Sequence, residues 1–554
     1  MPMLPRFALI VAALTSVAAE AIPSPERAYV LGRHAFAEDD LARASRYFAG
    51  ALVGDPNDPT LARRAFDLAV ASGNERQAVA LAPRLAKSDQ FDAALSLLKV
   101  TQAIEKREWP ALDTARKQLA DAGFAAFAAP VIEAWGRFGR GDTAGALQLL
   151  DPASQEGFGR AYLIEHRGHM LSAMKRWDEA AAAYGLLLSG DGAMIVRLRL
   201  AAASALQAGG KIAEAKKLLE DGGHQAAFEI ALSKLATSQP IRGGVDDPRA
   251  GIAGLFTRMA ADLSRDKPLP IALVLARYAT FLAPGDADAW LVTSDVLARN
   301  DQNDGALEAL ANIRADDPLI TLSRARQAVL LQRIDRPKES LVLLEQATAS
   351  ASPVIEDWAR LGEGYTAANR HTDAANAFSK ALALVTVLGP EHWYLYFARG
   401  AARERAGDWI GAQVDLRQAI ALAPGEASAL NYLGYALLDR GERMPEAQAL
   451  IERAVAAKPD DGFIADSLGW AYFRTGKYAQ AVVQLERAVA AVADDPTINE
   501  HLGDAYWKVG RKIEARFRWK AALDAGPEEA ASKRVSAKLD YGLDVAGAMA
   551  SRKP

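Results

Sequence analysis

Two histidines, one helical turn apart, are the first residues whose types and spacing could support chemistry. His166 and His169 stand three residues apart, so on a helix both imidazoles lie on one face and could contact one metal ion. No Asp, Glu or His elsewhere can be matched to this pair from its spacing in the sequence. We therefore interpret both as polar or interfacial residues. A metal centre, in which unseen acids converge on the pair, is the enzymatic alternative.

The sequence lacks the motifs of the common catalytic classes. It contains no G-x-S-x-G, no G-x-x-x-x-G-K-[ST], no H-E-x-x-H and no glycine fingerprint for a dinucleotide. It also has no cysteine, which excludes disulfides, CxxC zinc sites and thiol catalysis. We expect a protein that is not an enzyme and that needs no cofactor.

Charged residues are balanced rather than clustered by sign. The chain of 554 residues has 65 basic and 69 acidic side chains, so nothing indicates a nucleic-acid surface. The paired acids Asp316-Asp317, Asp460-Asp461 and Asp494-Asp495 lie between candidate helices. A carboxylate stabilises the N-terminus of a helix, so we interpret these pairs as caps of the helices that follow.

The elements that must position these residues repeat along the chain. The segment from Ile464 to Pro527 superimposes on itself at an offset of about 34 residues. Leu468 and Tyr472 share one helical face, and Gly469 beside them allows a second helix to approach closely. Gly476 predicts the end of the first helix. Such a pair of helices cannot bury its apolar face alone, so copies must stack.

A small residue near the start of the second helix marks each unit. The intervals between marks stay close to the same offset, except for one much longer interval between Ala215 and Ala272. This spacing predicts about 14 helix-turn-helix units. The marks are Ala44, Ala78, Ala111, Ala146, Ala180, Ala215, Ala272, Ala306, Ser340, Ala374, Ala412, Ala447, Ala481 and Ala515.

The period of about 34 residues with Leu-Gly, Tyr, Ala, a large residue, Ala and Pro in that order resembles the tetratricopeptide repeat. The resemblance implies an all-α, right-handed superhelical solenoid in two sub-arrays. It also implies that the first helix of each unit, helix A, lines a concave groove with unit positions 2, 5, 9 and 12, whereas helix B is the second helix. In the last units these positions, with position 13, hold Tyr394, Phe397, Asn431, Tyr435, Phe463, Asp466, Trp470, Phe473, Arg474, Glu500, Asp504, Trp507 and Lys508.

Aromatic side chains with interspersed charge on a concave face suit the binding of a partner peptide. Packing of the same rings against neighbouring A helices, as additional core, is the alternative. The Lys/Asn clamp by which some arrays bind C-terminal carboxylates is not matched, because Asn431, Asp466 and Glu500 do not reproduce its pattern.

Three strings in residues 425–529 carry a closer resemblance. They are Leu430 to Tyr435, Asp466 to Trp470 and His501 to Trp507. They are similar to the C-terminal part of proteobacterial envelope tetratricopeptide proteins, among them a lipoprotein adaptor of a periplasmic carboxyl-terminal processing protease. The resemblance implies a scaffold or adaptor that binds such a protease or its substrates. A scaffold for outer-membrane assembly or polysaccharide export is the alternative. The lipid-attachment cysteine of the lipoprotein is missing here.

The N-terminus differs from the rest of the chain. Arg6 precedes an apolar run, and Ala19-Glu20-Ala21 has the pattern of a signal-peptidase site. We expect an exported, periplasmic protein without a transmembrane segment. A Gly- and Pro-containing loop, Thr237 to Pro248, predicts an interruption that few contacts cross. The predicted domains are a signal peptide (1–21), a degenerate array (22–222), an interrupting helix and loop (223–252), a second array (253–529), and a capping helix with its tail (530–554).

Export is testable at the N-terminus of the protein purified from its native host. We expect the mature chain to begin at Ile22, because cleavage follows Ala19-Glu20-Ala21. N-terminal sequencing or intact mass spectrometry measures this directly. An intact Met1 terminus in the native host would contradict the prediction.

Overall fold

The computed structural model describes residues 23–85, 92–120, 128–154, 157–189, 193–223, 226–241, 243–265, 269–349 and 353–550. The predicted signal peptide lies outside these residues. Within them the regular structure is helical, with no strand, so the expected all-α class is confirmed. None of the helices in this described part is both long enough and apolar enough to cross a membrane.

The chain divides into two compact units, residues 1–352 and 353–554, which we call unit 1 and unit 2. The helices of unit 1 are α1 (Pro25–Ala37), α2 (Leu41–Ala51), α3 (Pro59–Ala71), α4 (Glu75–Leu85), α5 (Ala93–Lys106), α6 (Trp109–Ala120), α7 (Ala128–Gly139), α8 (Thr143–Leu149), α9 (Gly157–Ala173), α10 (Trp177–Gly185), α11 (Ala193–Ala208), α12 (Ile212–Glu220), α13 (Ala226–Ala236), α14 (Pro248–Asp262), α15 (Pro270–Leu282), α16 (Ala287–Arg299), α17 (Asn303–Ala311), α18 (Ile320–Arg333) and α19 (Pro337–Thr348).

Unit 2 continues the same alternation of A and B helices. Its helices are α20 (Ile355–Ala367), α21 (His371–Ala383), α22 (Trp393–Arg405), α23 (Trp409–Leu422), α24 (Ala427–Arg440), α25 (Met444–Ala457), α26 (Gly462–Arg474), α27 (Tyr478–Ala491), α28 (Pro496–Lys508), α29 (Lys512–Asp524), α30 (Glu529–Tyr541) and α31 (Leu543–Ala550). In unit 2 each A helix packs most closely on the B helix that follows it.

The small residues that mark the repeats lie at these A–B contacts. Thirteen of the fourteen, all except Ala111, are fully buried. Ala111 is exposed, and the next residue, Leu112, is buried in its place. The predicted register was therefore wrong by one residue in this degenerate unit, which lacks the Leu-Gly and Tyr signals.

Acidic residues cap helices as predicted. The side chains of Asp461 and Asp495 each accept two backbone N–H groups in the first turns of α26 and α28. These bonds satisfy backbone donors that the helix itself leaves without a partner. For Asp316-Asp317 the prediction was wrong: Asp317 accepts the backbone N–H of Leu319 at 2.9 Å, but Leu319 precedes α18, and the N-cap of α18 makes no side-chain bond to the helix.

The segment predicted to interrupt the array is firmly attached to unit 1. Residues 226–236 form α13, as expected, but the loop that follows is bound to α11. Ile241 is buried, its carbonyl oxygen accepts the hydroxyl of Ser204 at 3.0 Å, and its N–H donates to Gln207 at 2.8 Å. The expectation that few contacts cross this region was wrong, whereas the domain bounds at 222, 252 and 529 stay predictions.

The two helices after this loop explain the contacts, because α14 and α15 fill the A-helix face of the first array. α14 lies against α5, α7 and α9, and α15 lies against α3 and α5. Every residue of α14 from 251 to 260 is buried. Four A helices of the first array, α3, α5, α7 and α9, are therefore covered by the chain itself.

Polar side chains anchor α14 and α15 at this face. Tyr162 donates its hydroxyl to Asp262 at 2.6 Å, and Arg258 pairs with the buried carboxylate of Glu165. Farther along, the hydroxyl of Tyr278 donates to the carbonyl oxygen of Ala94 at 3.0 Å. Buried groups of this kind are costly unless paired, so these bonds fix the position of the two helices.

Two glycines of α14 provide a test of this arrangement. A methyl group at Gly251 would collide with the ring of Trp135 on α7, whereas a methyl group at Gly254 would meet no atom within 4 Å. We expect Gly251→Ala to destabilise unit 1 by about 1–3 kcal/mol through overpacking. Gly254→Ala, the matched control, should be neutral or stabilising by up to about 1 kcal/mol, because Ala favours a helix over Gly. Chemical denaturation measures both, and equal effects would contradict the packing of α14 on α7.

Candidate functional site

The histidine pair lies in the core of unit 1. His166 is buried, and its Nδ1 accepts the indole N–H of Trp135 at 3.3 Å. His169 is also buried, with its Nδ1 2.8 Å from the hydroxyl of Tyr184. Burial lowers the pKa of His166 to about 3. This placement agrees with the interpretation as polar core residues, and across the described ranges no three His, Asp or Glu side chains converge as metal ligands.

The A-helix face of unit 2 differs from that of the first array, because α14 and α15 have no counterpart on it. Successive A helices are in direct contact: α20 contacts α22, α24 contacts α26, and α26 contacts α28. The B helices of neighbouring pairs are farther apart. The A helices therefore form the inner side of the unit and the B helices its outer side. We call the surface of α22, α24, α26 and α28 the inner face.

An aromatic stack occupies the middle of the inner face. The ring of Trp470 is parallel to that of Phe473, with centroids 4.9 Å apart and an interplanar angle of 7°. The imidazole of His501 lies 4.0 Å from Trp470 at 12°. Trp470 and Phe473 are only half-buried, so part of each ring remains accessible. The structure thus brings two predicted residues together and adds His501, which the groove positions did not include.

The preceding A helix, α24, adds polar groups to the inner face. Asn431 and Tyr435 are four residues apart, so they share one face of α24, and both are half-buried. Among the described residues, the buried side-chain oxygen of Asn431 has no hydrogen-bond partner. Burial, together with the carboxylates of Asp466 and Asp439, raises the pKa of the Tyr435 hydroxyl, which therefore stays protonated and able to donate.

The other predicted site residues of α22 and α26 lie at the two ends of α26 and near the start of α22. Phe463, at the start of α26, is 57% exposed, and Arg474, at its end, is exposed. On α22, Tyr394 and Phe397 are half-buried, and Phe397 packs edge-on against Tyr432 with centroids 5.6 Å apart. Phe397 is thus partly core, whereas Phe463 presents most of its ring to solvent.

The structure corrects the prediction for α28, because α30 and α31 cover this end of the inner face. Asp504 is buried and accepts the indole N–H of Trp519 at 2.9 Å and the ammonium of Lys538 at 2.6 Å. Trp507 donates its indole N–H to Asp544 at 3.0 Å, and Lys508 pairs with the same carboxylate. These three predicted site residues are bound by the chain itself.

The capping helix α30 is attached to α28 by two of its basic side chains. Lys533 is exposed, whereas Arg534 and Lys538 pair with a carboxylate of α28. Arg534 makes two 2.7 Å hydrogen bonds to Glu500, and Lys538 bonds Glu500 at 2.6 Å. Burial of Glu500 would raise its pKa, but these two cations keep it lowered. The acids of α28 therefore bind the capping helix.

A buried ion pair joins α26 to α28, and one of its two members, His501, is also part of the aromatic stack. Asp466 accepts the Nδ1–H of His501 at 2.9 Å, and both side chains are buried. Burial alone would lower the pKa of His501, but the carboxylates of Asp466, Asp504 and Glu500 outweigh it, and the pKa is raised. The sequence indicates only that the two residues belong to the A helices of neighbouring units, and it does not indicate that their side chains meet.

The raised pKa of His501 predicts how the stability of unit 2 depends on pH. Protonated His501 contributes fully below its unfolded pKa of about 6.5, and the contribution is lost as pH rises through the higher folded pKa. The loss should be about 1.4 kcal/mol for each unit by which the folded pKa exceeds the unfolded one. Denaturation of the wild type and His501→Gln at pH 5.5 and pH 9 measures it. A difference between the two proteins that does not shrink at pH 9 would contradict the charged pair.

Two family models match unit 2. One described as tetratricopeptide repeat matches residues 402–462, and one described as TPR repeat matches residues 469–510. A TPR repeat-containing protein of Pseudomonas aeruginosa is 45% identical over 92 residues, which is 17% of this chain and 16% of the relative. The chain thus matches far less than two thirds of that relative's length.

Solved structures of repeat proteins are also similar to this chain. A tetratricopeptide repeat protein from Parabacteroides merdae is 18% identical, with a TM-score of 0.38, over 44% of this chain and 95% of its own. PilW, a type IV pilus biogenesis factor, is 21% identical, with a TM-score of 0.32, over 36% of this chain and 91% of its own. At such TM-scores nothing follows about partner or process.

The family identity of the fold rests on the helical pairs and the two family models together. Pairs of A and B helices stack along both units, with a buried small residue at almost every mark. The models fall on the pairs around the inner face. Repeats of this type are protein-interaction scaffolds. Residues 402–462 and 469–510 are tetratricopeptide repeats, and the protein has the all-α tetratricopeptide-repeat fold.

Proposed function

We propose that unit 2 binds a peptide segment of a partner protein on its inner face. The observation that carries this proposal is that the half-buried rings of Tyr435, Trp470 and Phe473 lie on the neighbouring helices α24 and α26, on an A-helix face that α14 and α15 do not fill. Half-buried aromatic side chains contribute favourable binding free energy when a ligand buries the rest of their surface.

The groups on this face match the chemistry of a peptide. The hydroxyl of Tyr435 is a donor for a backbone carbonyl. Apolar side chains of the ligand would cover Trp470 and Phe473. The exposed guanidinium of Arg474, at the end of α26, is placed for an acidic group of the ligand.

We further propose that the protein is an exported scaffold or adaptor of the bacterial cell envelope. The signal-peptide pattern in residues 1–21 and the strings in residues 425–529 support this role. By the same resemblance, the partner is a carboxyl-terminal processing protease or one of its substrates. Recovery of a porin or a polysaccharide synthase instead would assign the scaffold to outer-membrane assembly or polysaccharide export.

Photo-crosslinking in the native host tests the inner face and identifies the partner. A photoreactive phenylalanine analogue replaces Phe463, which is 57% exposed at the start of α26, the helix that carries Trp470 and Phe473. In a control the analogue replaces Val414 on the outer side of α23. We expect a discrete crosslinked partner from position 463 and none from position 414. Equal crosslinking at both positions, or none at position 463, would contradict binding at the inner face.

Once a partner is identified, its affinity should depend on the exposed ring of Phe463. We expect Phe463→Ala to weaken binding by about 30-fold, or about 2 kcal/mol, as for a central aromatic contact. The melting temperature should stay within a few degrees of wild type, because most of this ring is already in water. Trp470→Ala is less decisive, because Trp470 also stacks on His501. Unchanged affinity for Phe463→Ala would place the ligand elsewhere.

A further inference from the structure

The outer helix α29 carries an unusual concentration of positive charge. The ten residues from Arg511 to Lys520 include five basic side chains and one acidic side chain, in a chain whose formal net charge is −4. Tetratricopeptide packing does not require this bias, because the equivalent ten residues one unit earlier, Lys477 to Glu486, include one basic and one acidic side chain. The charge of α29 therefore calls for a separate explanation.

Two large apolar side chains project from the same helix into solvent. Ile513 is 72% exposed and Phe517 is 71% exposed, and at a spacing of four residues they lie on one face. Trp519, in contrast, is fully buried against the A helix. The apolar pair on the outer face is therefore not part of the core.

Basic side chains form a stripe along one side of this apolar pair. Lys512, Arg516 and Lys520 are exposed, one turn apart along the helix. Within the described residues, neither Lys512 nor Arg516 has a carboxylate within 4 Å, and both lie near the ring of Trp507, at 5.0 and 5.1 Å from its centroid. Lys520 pairs with Asp524 at the end of the helix. The face therefore keeps a net positive charge next to Phe517.

We propose that the outer face of α29 docks on an anionic phospholipid surface. Phe517 and Ile513 would enter the boundary between headgroups and acyl chains, while Lys512, Arg516 and Lys520 would remain at the level of the phosphates. Charge complementarity favours anionic over zwitterionic lipid. The side chains project from the outer side of the unit rather than line a groove, which suits a deformable lipid surface better than a protein partner.

Docking through α29 would leave the inner face of unit 2 free. The inner face is formed by A helices, whereas Ile513 and Phe517 lie on the outer side of a B helix. The lipid surface and the partner peptide would therefore use opposite sides of the unit. The inference does not depend on the proposed peptide binding, and variants of α29 test it alone.

Flotation of the full chain with lipid vesicles tests the proposal. At 50 mM NaCl we expect at least ten-fold more protein bound to vesicles of equal parts phosphatidylglycerol and phosphatidylcholine than to phosphatidylcholine alone. Binding should fall at 500 mM NaCl, because surface electrostatics are screened. The double variant Ile513→Ser, Phe517→Ser should lose at least five-fold in bound fraction, and Lys512→Gln, Arg516→Gln should lose the preference for anionic lipid.

The chain supplies a matched control on α23. Ile410 and Val414 are also four residues apart and 81% and 63% exposed, but Asp408 rather than a cluster of cations precedes them. Ile410→Ser, Val414→Ser should bind vesicles like wild type. Equal loss in both Ser variants, equal binding to both lipids, or no binding would overturn the proposal. Retention by poly-glutamate without vesicle binding would overturn it too, in favour of an acidic protein partner.

Discussion

The whole molecule depends on the close approach of two helices at a small residue. At thirteen of the fourteen marks an alanine or serine is fully buried at the contact between two helices, and glycines on several A helices tighten the contact further. A side chain at Gly434 would collide with Ile451, and one at Gly469 would collide with Leu485. Such a pair buries only one side of each helix, so every pair must pack against a neighbouring pair. The apolar surface of the last pair must be covered by another part of the chain or by a partner.

The two units differ in how much of their A-helix surface is covered by the chain itself. In unit 1, α14 and α15 lie against the A helices of the first array, and Tyr162, Arg258 and Tyr278 fasten them with buried hydrogen bonds or ion pairs. In unit 2, α30 and α31 cover only the last A helix, through bonds to Glu500, Asp504 and Trp507. The rings on α24 and α26 remain accessible, so a partner can bind where the chain does not bind itself.

The fold could be predicted from the sequence because its signal is local. A period of about 34 residues, with Leu468 and Tyr472 on one face and Gly476 at a turn, defines a helical pair without reference to any distant residue. Ala111 was misplaced by one position because its unit lacks those signals. Which A helices are covered could not be predicted, because this depends on contacts between segments that are distant in the sequence. The contact of Trp507 with Asp544 and the pairing of Asp466 with His501 do not follow from the repeat period.

Hydroxyl-radical footprinting of the purified protein tests the central claim, that the A-helix face is closed in unit 1 and open in unit 2. Mass spectrometry after a short radical pulse measures the oxidation rate of individual aromatic residues. We expect rapid oxidation of Phe463, Trp470 and Phe473. We expect slow oxidation of Tyr162, Phe256 and Tyr278, which are buried beneath or within α14 and α15. Comparable rates in the two sets would show that the A-helix face of the first array is open as well, which would contradict this difference between the units.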